Sequence, residues 1–233
     1  MFKYRNMLNE TKNLNNLSNE ELFNFLFKIL ELNVLENQNT ADNFINYLTN
    51  CPTPVREATA YKLYELIKIY PNYFKNELSK DKILNAISDI NPNISRIMCD
   101  IILENDFVSG MLTSDIIQKI NEILSQIKEY EAKNRDFFQN KVKNKKNHAK
   151  NKLLFSLYWY LEALSNCNIQ NYEDKILQIL NYTINFCDYT IREKTAKLLK
   201  KFDNLPDEIL QKAKSDQNFY VKIQVYDKMK FED

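Results

Sequence analysis

One glycine, Gly110, and one histidine, His148, stand in a chain of 233 residues. Each scarcity removes chemistry. Glycine-rich phosphate cradles, whether the dinucleotide fingerprint or the P-loop, need several backbone positions free of a Cβ, and a single glycine cannot supply them. Tight β-hairpin turns favour residues at positive φ, so a multi-stranded sheet is not expected and an all-helical chain is. One imidazole excludes metal sites built on paired histidines and leaves a nucleophile–histidine pair a single base, set in a lysine run. The four cysteines, Cys51, Cys99, Cys167 and Cys187, are 48, 68 and 20 residues apart, without the close pair that binds zinc or exchanges disulfides. Reduced thiols, no metal and no cofactor are the expectation.

Long apolar runs are also missing. The longest, Leu153 to Leu164, is interrupted by Ser156 and Glu162 and falls well short of the roughly 20 residues that span a bilayer. The opening Met1-Phe2-Lys3-Tyr4-Arg5-Asn6 is polar with no apolar stretch behind it, so a cytoplasmic rather than a secreted protein is expected, without membrane attachment. No carboxylate pair is arranged for acid–base work. Glu20-Glu21 and Glu173-Asp174 diverge around their helices and occupy first turns, where acids favour the helix dipole. An enzyme is therefore not expected.

What is present is a soluble, core-forming composition, 44% hydrophobic and 27% charged, with a net charge of +1. That charge is uneven: residues 1–110 carry 11 basic and 14 acidic groups, residues 111–233 carry 21 and 17. Asparagine supplies 32 residues, a compositional bias to which no function is assigned. Apolar residues recur at helical spacing, as in Leu22, Phe23, Leu26, Phe27 and Leu30, or Ile116, Ile117, Ile120, Leu124 and Ile127. Helix starts are marked by Ser18 with Glu21 as a capping box, by Thr53-Pro54, and by Pro206-Asp207-Glu208. About eleven helices result.

The helices that follow short turns share a register anchored on Val55, Ile94, Ala149, Ile191 and Val221. Eight residues on, the same face carries Leu63, Ile102, Leu157, Leu199 and Met229. One residue after the anchor stand Arg56, Ser95, Lys150, Arg192 and Lys222; five before it stand Asn50, Asp89, Asn144, Phe186 and Asp216. The third unit, around Ala149-Lys150, rests on its position alone. Anchor spacings of 39, 55, 42 and 30 are irregular and fit regular tetratricopeptide or ankyrin arrays less well.

A polar or acidic residue, a short turn, an aliphatic and then a basic residue, on the second helix of successive pairs, resembles the HEAT repeat. Asn50-Cys51-Pro52-Thr53-Pro54-Val55-Arg56 and Asp89-Ile90-Asn91-Pro92-Asn93-Ile94 carry the resemblance most fully, with Asp188-Tyr189-Thr190-Ile191-Arg192 and Asp216 to Lys222 close behind. It implies an all-α, right-handed α-α superhelix of about five HEAT-like pairs over residues 38–230, an N-terminal capping segment over 1–37, and an irregular basic insertion near 133–152. The second helices of such an array line its concave surface.

Positions six, nine and ten after each anchor face away from the anchor side. The expected partner-binding residues there are Tyr61, Tyr64, Glu65, Tyr158, Trp159, Lys197, Lys200 and Lys201, with Asp100, Leu103, Glu104 and Phe155 in the same stripe. Aromatic anchors and a basic end suit a protein or peptide partner bound by a monomeric, non-catalytic scaffold. Lateral packing between helices is the competing role for Phe155 and Tyr158. Nucleic acid is the alternative partner, on an architecture similar to the HEAT-like DNA glycosylases, but Glu65, Asp100 and Glu104 oppose a phosphate-tracking surface. The segment 133–152 carries a net of +7; it is expected to be a solvated, mobile connector with trypsin sites at Lys141, Lys143, Lys145 and Lys146, and His148 a surface imidazole. Cys51 and Cys187, each four residues before an anchor, are expected to pack in the core.

Overall fold

A computed structural model describes residues 17–133 and 148–226. Eleven α-helices and no strand occur among them: α1 Asn19–Leu30, α2 Gln38–Asn46, α3 Thr53–Ile69, α4 Glu77–Ala86, α5 Pro92–Glu104, α6 Asp106–Lys133, α7 His148–Asn166, α8 Glu173–Thr183, α9 Tyr189–Leu199, α10 Asp207–Lys214 and α11 Phe219–Tyr226. A 3-10 turn, Pro71–Phe74, joins α3 to α4. The central part of the basic segment, with its expected trypsin sites, and Met229 lie outside the described residues.

Asparagine does much of the local work that glycine and serine do elsewhere. Asn37, Asn76 and Asn91 cap α2, α4 and α5 by accepting from the backbone N–H of Thr40, Ser79 and Asn93. The two described non-glycine residues at positive φ are Asn50 (60°) and Asn171 (71°), the residue type that tolerates left-handed backbone best after glycine. Gly110, by contrast, lies within helical α6, and a Cβ there would meet nothing within 4 Å. The α1 capping box forms as expected, Ser18 Oγ accepting from Glu21 N–H at 3.3 Å and the Glu21 carboxylate from Ser18 N–H at 2.9 Å. At α3 the boundary is one residue earlier than the sequence implied: Pro52 is the N-cap and Thr53 is already helical.

The chain divides into two compact units, Met1–Leu112 and Thr113–Asp233, with the boundary inside α6. In the first unit, α3 packs between α1 and α5 in one row, α2 packs against α4, and α2–α3 and α4–α5 are in contact as pairs. In the second, α9 packs between α7 and α11, α8 lies against α9, and α10 contacts both α9 and α11. The register explains the rows. Anchors Val55, Ile94, Ile191 and Val221 are fully buried, as are Leu63, Leu157 and Leu199, and Ile102 is nearly so. Burying a side chain of this size removes enough apolar surface to contribute roughly 1.5–3 kcal/mol. Ala149 breaks the series: it is exposed in the first turn of α7.

Candidate functional site

Two arginines tie successive pairs together in the same way. Arg56, at the start of α3, donates from Nε and Nη2 to the Asp89 carboxylate at 2.8 and 3.0 Å and from Nη1 to the Cys51 carbonyl. Arg192, at the start of α9, donates to Asp216 at 2.6 and 3.1 Å and to the carbonyls of Phe186 and Cys187 at 2.7 and 2.9 Å. Each carboxylate also accepts from a turn N–H two residues on, Asn91 or Asn218, both at 2.8 Å. A guanidinium fork matches this paired demand, carboxylate on one side and carbonyl on the other, as an ammonium cannot. The hydrogen bond from Arg192 holds the Asp216 carboxyl below its ordinary range. In the second register unit Ser95 replaces arginine and donates to the Asp89 carbonyl at 3.1 Å. Lys150 pairs with Glu131 of α6 at 2.8 Å.

These bonds correct the reading of Cys51 and Cys187. Cys187 is exposed and Cys51 half-buried, and Ile90 at the equivalent position is 83% exposed. At Cys51 and Cys187 that position supplies a main-chain carbonyl for the arginine. Cys99 and Cys167 are the buried thiols.

On the first unit, α3 and α5 present an amphiphilic face. Tyr61 and Leu103 are exposed at 47% and 60%. On the same two helices the Tyr64 hydroxyl and the Lys68 ammonium both donate to the Glu104 carboxylate, and Lys68 Nζ sits 3.9 Å from the Tyr64 ring centroid. The hydrogen bonds from Lys68 and Tyr64 hold Glu104 below its ordinary range. Glu65 is exposed and accepts at 2.6 Å from buried Lys62, which also reaches Asn33 Oδ1 at 3.3 Å in the turn after α1. Three residues expected to bind a partner, Tyr61, Tyr64 and Glu65, therefore share one surface, and Leu103 and Glu104 join them.

On the second unit the expected residues are largely absorbed by packing. Trp159 is half-buried against Tyr158 and Phe155, with ring centroids 5.2 and 6.3 Å apart, and its indole N–H is buried without an acceptor among the described residues. Lys197 does not project as a free cation: its Nζ donates to Glu162 of α7 at 2.5 Å, and Lys194 lies 3.1 Å from the same carboxylate and 4.7 Å from the Tyr158 ring centroid. Burial pushes the Glu162 carboxyl up, but Lys197 and Lys194 outweigh it and hold it below the usual value. Lys201 donates to the Cys167 carbonyl at 2.5 Å, which satisfies an orphan acceptor just beyond the end of α7. Sequence spacing put Glu162 nowhere near these lysines, since the contact spans 35 residues. Lys200 is exposed at the end of α9.

A hollow of about 280 Å³ in the second unit is lined by Glu131, Lys150, Leu154, Tyr182, Phe186 and Cys187. Burial and the neighbouring Glu131 hold the Tyr182 hydroxyl above its ordinary value. Its one thiol has no imidazole beside it, since His148 is exposed in the first turn of α7 and does not line the hollow. Among the described residues no group of three His, Cys, Asp or Glu side chains could hold a metal ion, and no helix is long and apolar enough to cross a membrane. Compared with known protein families and with curated proteins, the chain matches none.

Proposed function

We propose that the chain is a HEAT-like helical-repeat protein, its pairs stacked as a right-handed solenoid, that binds a protein segment on the α3–α5 face without catalysing a reaction. The observation that carries this reading is that α3 and α5 expose Tyr61 and Leu103 and are joined by the Tyr64–Glu104–Lys68 cluster. Exposed apolar groups around a fixed polar centre give an amphipathic peptide both burial and orientation, the usual basis of a recognition hot spot. Glu65 and Glu104 are paired with Lys62 and Lys68, so the face is close to neutral and suits an amphipathic protein segment better than a phosphate backbone. The α2–α4 and α1–α3–α5 packing and the two equivalent arginine–aspartate pairs support the repeat assignment. Four cysteines that form no disulfide fit a reducing compartment such as the cytosol.

Affinity purification of the full chain from its native cell, with and without nuclease, tests the class of partner. A protein partner is expected in both preparations. Tyr61→Ala and Leu103→Ser, both at exposed positions, are then expected to weaken that partner's binding at least tenfold while leaving the melting curve in place. Partner recovery that disappears with nuclease, or unchanged affinity in both variants, refutes the assignment.

A further inference from the structure

Helix α11 is apolar on two opposite faces. Val221 and Val225 are buried among its neighbours, whereas Phe219, Ile223 and Tyr226, half a turn away, are exposed at 63%, 43% and 50%. A surface helix of a globular protein keeps its outer face polar, so an apolar outer stripe marks a face that something covers. Helix α1, in the other unit, has the same property: it buries Ile29 and exposes Phe23, Phe27 and Leu30 at 57%, 49% and 48%. Both are members of a helix row with a packed neighbour, α9 for α11 and α3 for α1.

Charge distinguishes the two faces. Lys222 of α11 occupies the register position of Arg56 and Arg192, whose carboxylate partners Asp89 and Asp216 come from the pair that follows. Lys222 makes no salt bridge within 4.0 Å among the described residues, although its charge reaches the Asp216 carboxylate that Arg192 already holds. The first turn of α1 carries Glu20 and Glu21, so α1 is an amphipathic helix with carboxylates at its start. The wider balance has the same sense: residues 1–110 carry three more acids than bases, residues 111–233 four more bases than acids.

We infer that the outer face of α11 takes up α1 of a second copy of this chain, head to tail. Phe23, Phe27 and Leu30 of one copy cover Phe219, Ile223 and Tyr226 of the next, and Glu20 meets Lys222, so the contact extends the helix row from one copy into another. Such an interface joins two different surfaces and leaves one of each unused in a dimer, so assembly continues until it closes or runs on as a filament. This replaces the expectation of a monomer and does not depend on the α3–α5 face.

Sedimentation velocity of the full chain, from micromolar to sub-millimolar concentration, reads the result. The expected outcome is a mass that rises with concentration beyond two chains. Phe27→Glu and Ile223→Glu, both at exposed positions and checked by their melting curves, are each expected to abolish the rise. An equimolar mixture of the two variants is expected to form a species of twice the chain mass and no larger, because each contributes the face the other has lost. Wild-type mass of one chain throughout overturns the proposal. So does loss of assembly in Ile223→Glu but not in Phe27→Glu, which would mean α11 pairs with itself, or a mixture that stays monomeric.

Discussion

Replacing Arg192 by Met keeps a stem of similar girth while removing a guanidinium that serves two carbonyls and one carboxylate. The Arg192 side chain is 17% exposed and Asp216 8%, so water reaches little of what is left behind. Asp216 keeps the Asn218 N–H at 2.8 Å but loses bonds of 2.6 and 3.1 Å, and the Phe186 and Cys187 carbonyls lose theirs. Breaking one side of a buried pair typically costs about 3–5 kcal/mol, and a pair at this partial exposure about 2–4. Lysine at the same position keeps charge without the fork and is expected to cost about half as much. Urea denaturation followed by circular dichroism measures the change. Arg56→Met, in the other unit, breaks an equivalent pair with side-chain exposures of 14% and 11%. If the units unfold separately, each variant is expected to shift a different transition. A double-mutant cycle with Asp216→Asn isolates the pair itself, with an expected coupling of about 1–3 kcal/mol. A cost below about 0.5 kcal/mol in both Met variants, or a coupling indistinguishable from zero, refutes the idea that these arginines hold successive pairs together.

Gly110→Ala is expected to stabilise the chain by about 0.5–1 kcal/mol, read as a higher urea midpoint, because the residue is helical, exposed and uncrowded. Leu63→Ala and Leu199→Ala, each fully buried, are expected to cost about 2–5 kcal/mol by leaving cavities in the two units. Glu162 and Asp216 both have carboxyl groups depressed below their unfolded values of 4.5 and 3.8. Their stabilising contribution is complete above those values and is lost as pH falls through the lower folded ones. Urea midpoints are therefore expected to drop steeply below about pH 4, and Glu162→Gln is expected to be less stable at neutral pH but to fall less on acidification. A variant with the full wild-type acid dependence would count against Glu162 as a source of it.

The sequence by itself determined what local forces decide. Periodicity and caps located the helices, since both act within a few residues, and the register identified Val55, Ile94, Ile191 and Val221 as buried because a helix repeats its inward face on a fixed angle. It also named both members of the arginine–aspartate pairs, as basic residues after an anchor and acids before one, without joining them. Joining Arg56 to Asp89 and Arg192 to Asp216 takes contacts across 33 and 24 residues, and those depend on which helices become neighbours. The same dependence explains the rest. Lys197 and Lys201 read as free cations until Glu162 and the Cys167 carbonyl, 35 and 34 residues earlier, were brought to them. Cys51 and Cys187 read as core residues because spacing counts side chains, whereas the turn there is held by its backbone carbonyls. Helix faces are inscribed in the order of residues, but whether an outward-facing group meets water, a carboxylate or another helix is decided by tertiary packing, because partners distant in sequence leave no local trace.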